Sequence, residues 1–319
     1  MFQPTKARRE KMKAVVGFIG CSGSGKTAGA LLTAYGMMKE AYPDLTQEEI
    51  WEKIGVIDTE HGRAKLYADT DFENTRIGQF LHIDFEPPYT TERYNQAVVS
   101  MKMAGCEVII VDSLSHNWQG EGGIVETHGK MSGNSFQNWG KLSSETNELI
   151  KTLTRNNIHI LATLRTKQEY VVELNAEGKS VPKKIGTKPV QKDEMEYEFM
   201  LNFSIGIDHV AETSKDNTRI FEGNPQILTP DVGRKLFKWL ELGIDVQAEE
   251  RRMREEAAAR ESEEKAAAIK SIQKIIKGND EAAKLLSNIE FKANASLVDF
   301  SAKWAKAALE QITKQLGGN

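Results

Sequence analysis

Cysteine is scarce: Cys21 and Cys106 are the only two in 319 residues, which argues against a disulfide framework. Long hydrophobic runs are missing as well. Nothing approaches the roughly 18 consecutive apolar residues that a bilayer-crossing helix needs, and the basic N-terminal residues Lys6, Arg8, Arg9, Lys11 and Lys13 have no apolar stretch behind them. Secretion and membrane insertion are therefore disfavoured, and a cytoplasmic protein without membrane contact is expected. Strong charge of one sign is also lacking. The formal net charge is −4, so a grip on nucleic acid would have to come from local basic loops. Internal repeats are absent, and so are extended low-complexity tracts beyond one charged stretch after Asp245. What remains is an ordinary globular composition, 39% apolar, with enough chain for one large domain or two.

Against that plain background one octapeptide stands out. Gly20 to Thr27 read Gly-Cys-Ser-Gly-Ser-Gly-Lys-Thr, a complete G-x-x-x-x-G-K-[ST] loop, and they follow the apolar run Ala14 to Ile19. A strand entering a glycine-rich turn that opens a helix aims backbone N–H groups and the positive helix end at a phosphate chain. Lys26 is expected on the β and γ phosphates and the Thr27 hydroxyl on Mg²⁺, with Gly20, Ser22, Gly23, Ser24, Gly25 and Ala28 completing the cradle. ATP and Mg²⁺ are the expected cofactors.

From residue 14 to about 165, apolar runs alternate with amphipathic segments, the pattern of a mostly parallel sheet covered by helices. The expected pieces are strand 14–19, helix 26–41, strands 54–58 and 80–84, helix 91–104, strand 107–112, helix 142–156 and strand 158–164. Thr46 and Glu49 suit a capping box for a short helix. Beyond 165 the chain turns polar, then alternates at 199–207. Two runs, 209–213 and 218–222, flank Lys215-Asp216-Asn217 and read as an antiparallel hairpin that extends the sheet. A helix from Pro230 to Leu242 closes this α/β unit.

Past Asp245 neither Gly nor Pro occurs until Gly278, in sequence rich in Glu, Arg, Ala and Lys. That composition favours a helix of roughly 45 Å at about 1.5 Å per residue. Its first half has no apolar stripe and reads either as a solvated connector or as a partner surface. Ile269, Ile272 and Ile276, then Leu285, Leu286 and Ile289, then Leu297, Phe300, Trp304, Ala308, Ile312 and Leu316 predict a small helical appendage, with Ser296 and Asp299 capping its last helix. The division is a basic segment 1–13, an α/β core 14–245, a long charged helix 246–276 and a helical C-terminal region 277–319.

A second nucleotide signal is Glu107-Val108-Ile109-Ile110-Val111-Asp112-Ser113, a buried strand ending in an acid suited to a metal's water shell, in the manner of a Walker B strand. Hydrolysis also needs a group that orients or deprotonates water. Strand 54–58 ends in Thr59-Glu60-His61, which puts Glu60 at the C-terminal edge of the sheet as candidate base; His61 beside it is either incidental or a sensor of γ-phosphate or DNA. Strand 158–164 runs into Arg165-Thr166-Lys167, where either cation senses the γ-phosphate, touches nucleic acid or is simply solvated. Lys215 and Arg219 read either as surface charges or as cations reaching a neighbouring subunit's nucleotide.

Two long loops are expected, Ser115 to Lys141 and Lys167 to Lys192. The first holds Trp118, Phe136 and Trp139; the second holds Lys179, Lys183, Lys184, Lys188 and Lys192. Aromatics on one and lysines on the other suit single-stranded nucleic acid, held by stacking and phosphate contacts, with core packing as the alternative for each tryptophan.

Together these residues resemble the RecA-like recombinases: a phosphate loop, Asp58-Thr59-Glu60-His61 after the next strand, a Walker B strand, then two candidate DNA loops. More closely, the chain resembles phage-encoded, AAA-family, RecA-like single-domain ATPases implicated in recombination and single-strand annealing. The carrying residues are Ile57 to Ala64, Val111 to Trp118, Tyr197-Glu198-Phe199, and Lys215 to Arg219 ahead of Leu236-Phe237-Lys238-Trp239-Leu240. The resemblance covers about residues 12 to 245. It implies a RecA-like P-loop fold, Glu60 as water activator, Asp112 for metal, and a homo-oligomeric ring or filament with nucleotide between subunits. At the strand end where bacterial recombinases carry a glutamine, this chain has Arg165. The expected activity is Mg²⁺-dependent ATP hydrolysis on single-stranded DNA in phage recombination or replication. An ATP-gated adaptor or helicase loader, recruiting a single-strand-binding protein, annealing protein or helicase through its C-terminal helices, is the alternative, and a nucleotide kinase a third.

Overall fold

The computed structural model describes residues 4–72, 74–174, 180–193 and 195–316, with the side chains of 170–174, 180–185 and Gln247 outside the description. Two compact units result, residues 1–244 and 245–319. In the first, chain order gives strand β1 (Val15–Gly20), helices α1 (Lys26–Ala41) and α2 (Gln47–Trp51), and strand β2 (Ile54–Asp58). Strands β3 (Thr70–Phe72) and β4 (Thr75–Ile77) pair as a separate ribbon. Then come β5 (Leu81–Asp84), α3 (Thr91–Met103), β6 (Val108–Asp112), α4 (Ser115–Gln119), α5 (Ile124–Lys130) and α6 (Ser135–Thr154). Strands β7 (His159–Leu174), β8 (Ser180–Pro189), β9 (Leu201–Ile205), β10 (Val210–Asp216) and β11 (Gln226–Ile227) precede α7 (Pro230–Leu240).

The main sheet runs β11-β10-β9-β1-β7-β6-β2-β5, parallel from β9 to β5 and antiparallel at β10 and β11. Apolar runs without polar alternation become its central strands because helices cover both faces. On one face Val16, Phe18, Val56 and Ile110 pack with Leu31, Leu32 and Met37 of α1 and Val232 and Leu236 of α7. On the other, Val15, Ile19, Ile57 and Ile109 pack with Tyr94 and Val98 of α3 and Leu149 and Leu153 of α6. Helices α1 and α7 cross at bare backbone: a Cβ on Gly233 would lie 2.0 Å from the Thr33 carbonyl oxygen, and one on Gly36 would lie 1.9 Å from that of Pro230. The fold is α/β with a mostly parallel sheet, as the alternation of runs predicts. The Thr46–Glu49 capping box is formed, and Pro230 opens α7.

Three expectations are corrected. The stretch Ser115–Lys141 is not a loop: it holds α4, α5 and the first turns of α6, whose N-cap Asn134 accepts from the Gln137 amide at 3.1 Å. Its Gly, Asn and Ser content hides helices of which α6 alone has a side-chain N-cap, α4 and α5 having none. The stretch Lys167–Lys192 is mostly a β-ribbon, in which β7 outruns the sheet and pairs antiparallel with β8 from Thr166↔Pro189 to Leu174↔Ser180. The run 218–222 is not a strand. Asp216 accepts from the Thr218 amide at 2.8 Å, the Thr218 hydroxyl at 2.5 Å and the Phe221 amide at 2.9 Å, which curls the chain away, so β10 pairs with β9 and the next edge strand is β11.

The basic N-terminal segment docks on its own unit. Arg9 lies 4.6 Å over the Trp239 ring and donates to the Trp239 carbonyl at 2.9 Å, and Lys11 pairs with Glu241 at 2.5 Å.

The second unit contains α8 (Val246–Ile276), capped by Asp245, with α9 (Asp280–Ala293) and α10 (Ala302–Leu316). Its core gathers Ile272, Leu286, Leu297, Phe300, Ala305 and Ile312. Ser296 makes no side-chain cap; Ser301 Oγ instead accepts from the Trp304 amide at 3.3 Å, one short helical turn later than expected. No helix among the described residues is long and apolar enough to cross a membrane.

Candidate functional site

Parallel strands share a C-terminal edge, so the register that sets Gly20 beside Arg165 and Asp58 beside Asp112 gathers the ends of β1, β2 and β6 on one rim, which β7 crosses at Arg165. The phosphate loop leaves β1 there. Gly25 sits at φ 89°, a left-handed conformation that glycine adopts without a Cβ clash, and acts as N-cap of α1. That helix start has neither a side-chain cap nor an acid in its first turn. Its free amides and positive dipole end thus face the cleft with no internal partner, which fits a phosphate chain. Ser24, fully buried in the same loop, has a hydroxyl without a hydrogen-bond partner. Lys26 is folded over the loop and donates to the Cys21 carbonyl at 2.7 Å. Burial pulls its pKa below the ordinary lysine value, against the opposing pull of Asp112 and Glu60.

Thr27 Oγ1 donates to Asp112 Oδ2 at 2.6 Å, and Thr163 Oγ1 donates to Asp112 Oδ1 at 2.5 Å. Burial pushes the Asp112 pKa up while those two hydroxyls hold it down. Among the described residues no cluster of three or more His, Cys, Asp or Glu could hold a metal. One hydroxyl and one carboxylate fit Mg²⁺, which keeps waters and takes phosphate oxygens for its remaining positions.

Glu60 stands on a turn pinned from below by Asp58, whose oxygens accept from the Glu60 amide at 2.6 Å and the Ala64 amide at 2.9 Å, with His82 Nε2 at 3.2 Å. Burial raises the Asp58 pKa, but the His82 and amide hydrogen bonds outweigh it and the net direction is down. The Glu60 carboxylate receives Arg165 Nε at 2.6 Å and a second Arg165 nitrogen. His61 is exposed, 3.8 Å from Glu86.

These groups border a cleft of about 690 Å³. Ser22 to Gly29, Glu60, Asp112 and Arg165 line it, and Leu66, Tyr67, Phe72, His209 and Leu228 supply a wall of apolar and aromatic character. Sequence reasoning missed that wall and Thr163; it placed Asp58 and Arg63 in the carrying motif but gave neither its contact with the Glu60 turn. Thr163 carried a faint signal, a hydroxyl within the apolar run Ile160 to Leu164; the wall meets the loop only through tertiary folding.

Other predicted residues lie elsewhere. Gly20 closes β1 behind the loop, and Lys167 is exposed on the ribbon, outside the cleft lining. Lys215 is in β10 rather than at a hairpin tip, paired with the Tyr197 carbonyl and opposite Asn202, and Arg219 is exposed beyond it. Neither lines the cleft of its own chain. Trp118 and Trp139 stack on each other at 5.7 Å, and His128 stacks on Trp139 at 4.0 Å; Phe136 is exposed. Lys188 lies 3.9 Å from Glu169 and 3.8 Å from Asp193; the side chains of Lys179, Lys183 and Lys184 fall outside the described residues.

A family model described as an AAA domain matches residues 12–231. The chain belongs to the AAA domain family. A search among curated proteins returns no match. The matched span of this AAA domain contains the phosphate loop, Glu60, Asp112 and Arg165, so the chain is a nucleotide-binding P-loop ATPase in type.

Proposed function

We propose that this AAA domain hydrolyses ATP with Mg²⁺ while acting on single-stranded DNA in phage recombination or replication, as a homo-oligomer with ATP between subunits. One observation carries the DNA part of the reading: β7 passes the nucleotide cleft at Arg165 and continues as the same strand into the ribbon with β8, so a lysine-bearing ribbon and the hydrolysis site share one strand. Phosphate contacts from the ribbon and base stacking on Phe136 and Trp139 suit a single strand. The resemblance to RecA-like recombinases adds support.

In this reading the phosphate loop and Lys26 hold the β and γ phosphates, and the apolar wall packs the base. Thr27 and Asp112 would hold Mg²⁺, which supplies charge neutralisation on the phosphates when bound. Glu60 orients the attacking water and takes its proton. Lys215 or Arg219 of a neighbouring subunit completes the charge at the phosphates. ATP hydrolysis with and without single-stranded DNA tests the proposal, with Lys26→Ala and Glu60→Gln as controls. DNA stimulation lost in both variants supports it; full turnover by Glu60→Gln removes that residue from the role of base.

A second reading draws on the second unit, which has its own apolar core. There the protein is an ATP-gated adaptor that recruits a helicase, annealing or single-strand-binding protein through 246–319. Deleting those residues separates the two: partner capture disappears while turnover and DNA binding persist only if the adaptor role belongs to the helices.

A further inference from the structure

The carboxylate of Glu60 is gripped from two sides. Arg165 donates Nε to Oε1 at 2.6 Å and Nη2 to Oε2, a bidentate pair, and Arg63 Nη1 lies 3.7 Å from Oε2. With both oxygens engaged by a guanidinium, Glu60 is poorly disposed to accept the proton of a water. The backbone of Arg165 is fixed on both sides: its amide donates to Ser115 Oγ at 2.9 Å, and its carbonyl accepts from the Val190 amide at 2.7 Å. Its side chain has room. It is 41% exposed against 12% for Glu60, and it borders the same cleft as Lys26 and Thr27.

Building on the ATPase reading above, we infer that Arg165 is a positioning residue with two alternative partners. It clamps Glu60 while no γ-phosphate is present, and it turns to the γ-phosphate when a triphosphate binds, which releases Glu60 to act on water. A terminal phosphate carries more negative charge than a carboxylate and offers three oxygens to the same planar fork, so the exchange runs toward the triphosphate. A diphosphate ends one phosphate short and leaves the clamp closed. Arg63 remains beside Glu60 throughout and keeps the released carboxylate charge-compensated. Opening the clamp therefore weakens triphosphate binding without touching diphosphate binding, and the base is armed only by the substrate it acts on.

Calorimetric titration of the full chain with Mg²⁺ and either AMP-PNP or ADP tests this. Glu60→Gln dissolves the clamp, so AMP-PNP is expected to bind about tenfold tighter, with ADP affinity changed by less than about twofold. In an Arg165→Met background, with Arg165→Gln as a second background should the first not fold, the same Glu60→Gln change is expected to bring no gain. A gain that persists there traces to the lost carboxylate charge alone and overturns the clamp. An unchanged AMP-PNP affinity in Glu60→Gln overturns it as well. Failure of the wild-type chain to bind either nucleotide overturns the ATPase reading itself, and the clamp with it.

Discussion

Thr27 and Asp112 are 85 residues apart in the chain and 2.6 Å apart in space, hydroxyl to carboxylate. The parallel sheet brings this about: β1 and β6 flank β7, and their C-terminal ends open on one rim. A hydrogen bond to a charged group contributes about 1.5–3 kcal/mol. Thr27→Val keeps the side-chain shape and removes the donor, so Mg²⁺-dependent turnover is expected to fall roughly hundredfold. Thr27→Ser should restore most of it. Hydrolysis rates across a Mg²⁺ titration check this, and equal rates for the Val and Ser variants would remove the hydroxyl from any role.

Asp58 touches no expected substrate atom, yet it holds the turn that presents Glu60. Asp58→Asn keeps the volume but replaces one of the two accepting oxygens by an NH2 group, which sets a donor against one of the two amides. The expected result is a kcat lowered about ten- to hundredfold, since small misplacement of a base is costly, with ADP affinity nearly unchanged. Measuring kcat and the ADP Kd side by side decides the matter. A parallel loss of both would mean a general collapse of the site instead.

His159 is the buried first residue of β7, where Nδ1 accepts the Ala14 amide at 3.0 Å. Burial lowers its pKa from 6.5 to about 3, with the Lys13 charge adding to the effect. The unfolded chain therefore binds a proton below about pH 6.5 that the folded chain refuses, and stability falls as pH drops through that window at up to roughly 1.4 kcal/mol per pH unit. Above it the histidine contributes no pH dependence. Thermal midpoints from pH 7.5 to 4.5 are expected to decline more steeply for wild type than for His159→Asn, which keeps an acceptor and cannot titrate. Parallel slopes would assign the acid sensitivity to other groups.

Phe136 is 86% exposed on α6, three residues before Trp139 of the stacked pair Trp118 and Trp139. Phe136→Ala and Trp139→Ala are each expected to weaken binding of a fluorescent oligothymidylate about tenfold, in line with about 1–3 kcal/mol per stacked base. Anisotropy titration provides the measurement. Unchanged binding in both would leave the aromatic cluster a packing feature of α4 to α6.

How much of this the sequence revealed follows from the range of each signal. The phosphate loop, the strand ending at Asp112 and the capping box of Thr46 are local, and local periodicity and motif suffice to read them. The ribbon reads as a loop in the sequence because its lysines mask strand alternation and the pairing of β7 with β8 is tertiary. Helix α6 begins seven residues before the expected start, since its apolar face begins only at Leu142 while its cap sits at Asn134. Glu60 and Arg165 were both singled out, but 105 residues separate them, and no local pattern could announce that they pair.

Strand β7 spans 16 residues. Its first half is laddered to β1 on one flank and β6 on the other, and its second half to β8 alone. A tug on the ribbon along its length therefore loads both flanking ladders in shear, where many bonds bear the load together, rather than peeling them singly. Whatever grips the ribbon pulls on the central seam of the sheet through one continuous strand, in which the shift of register at Glu169 and Tyr170 is the one irregularity of the β7–β8 pairing.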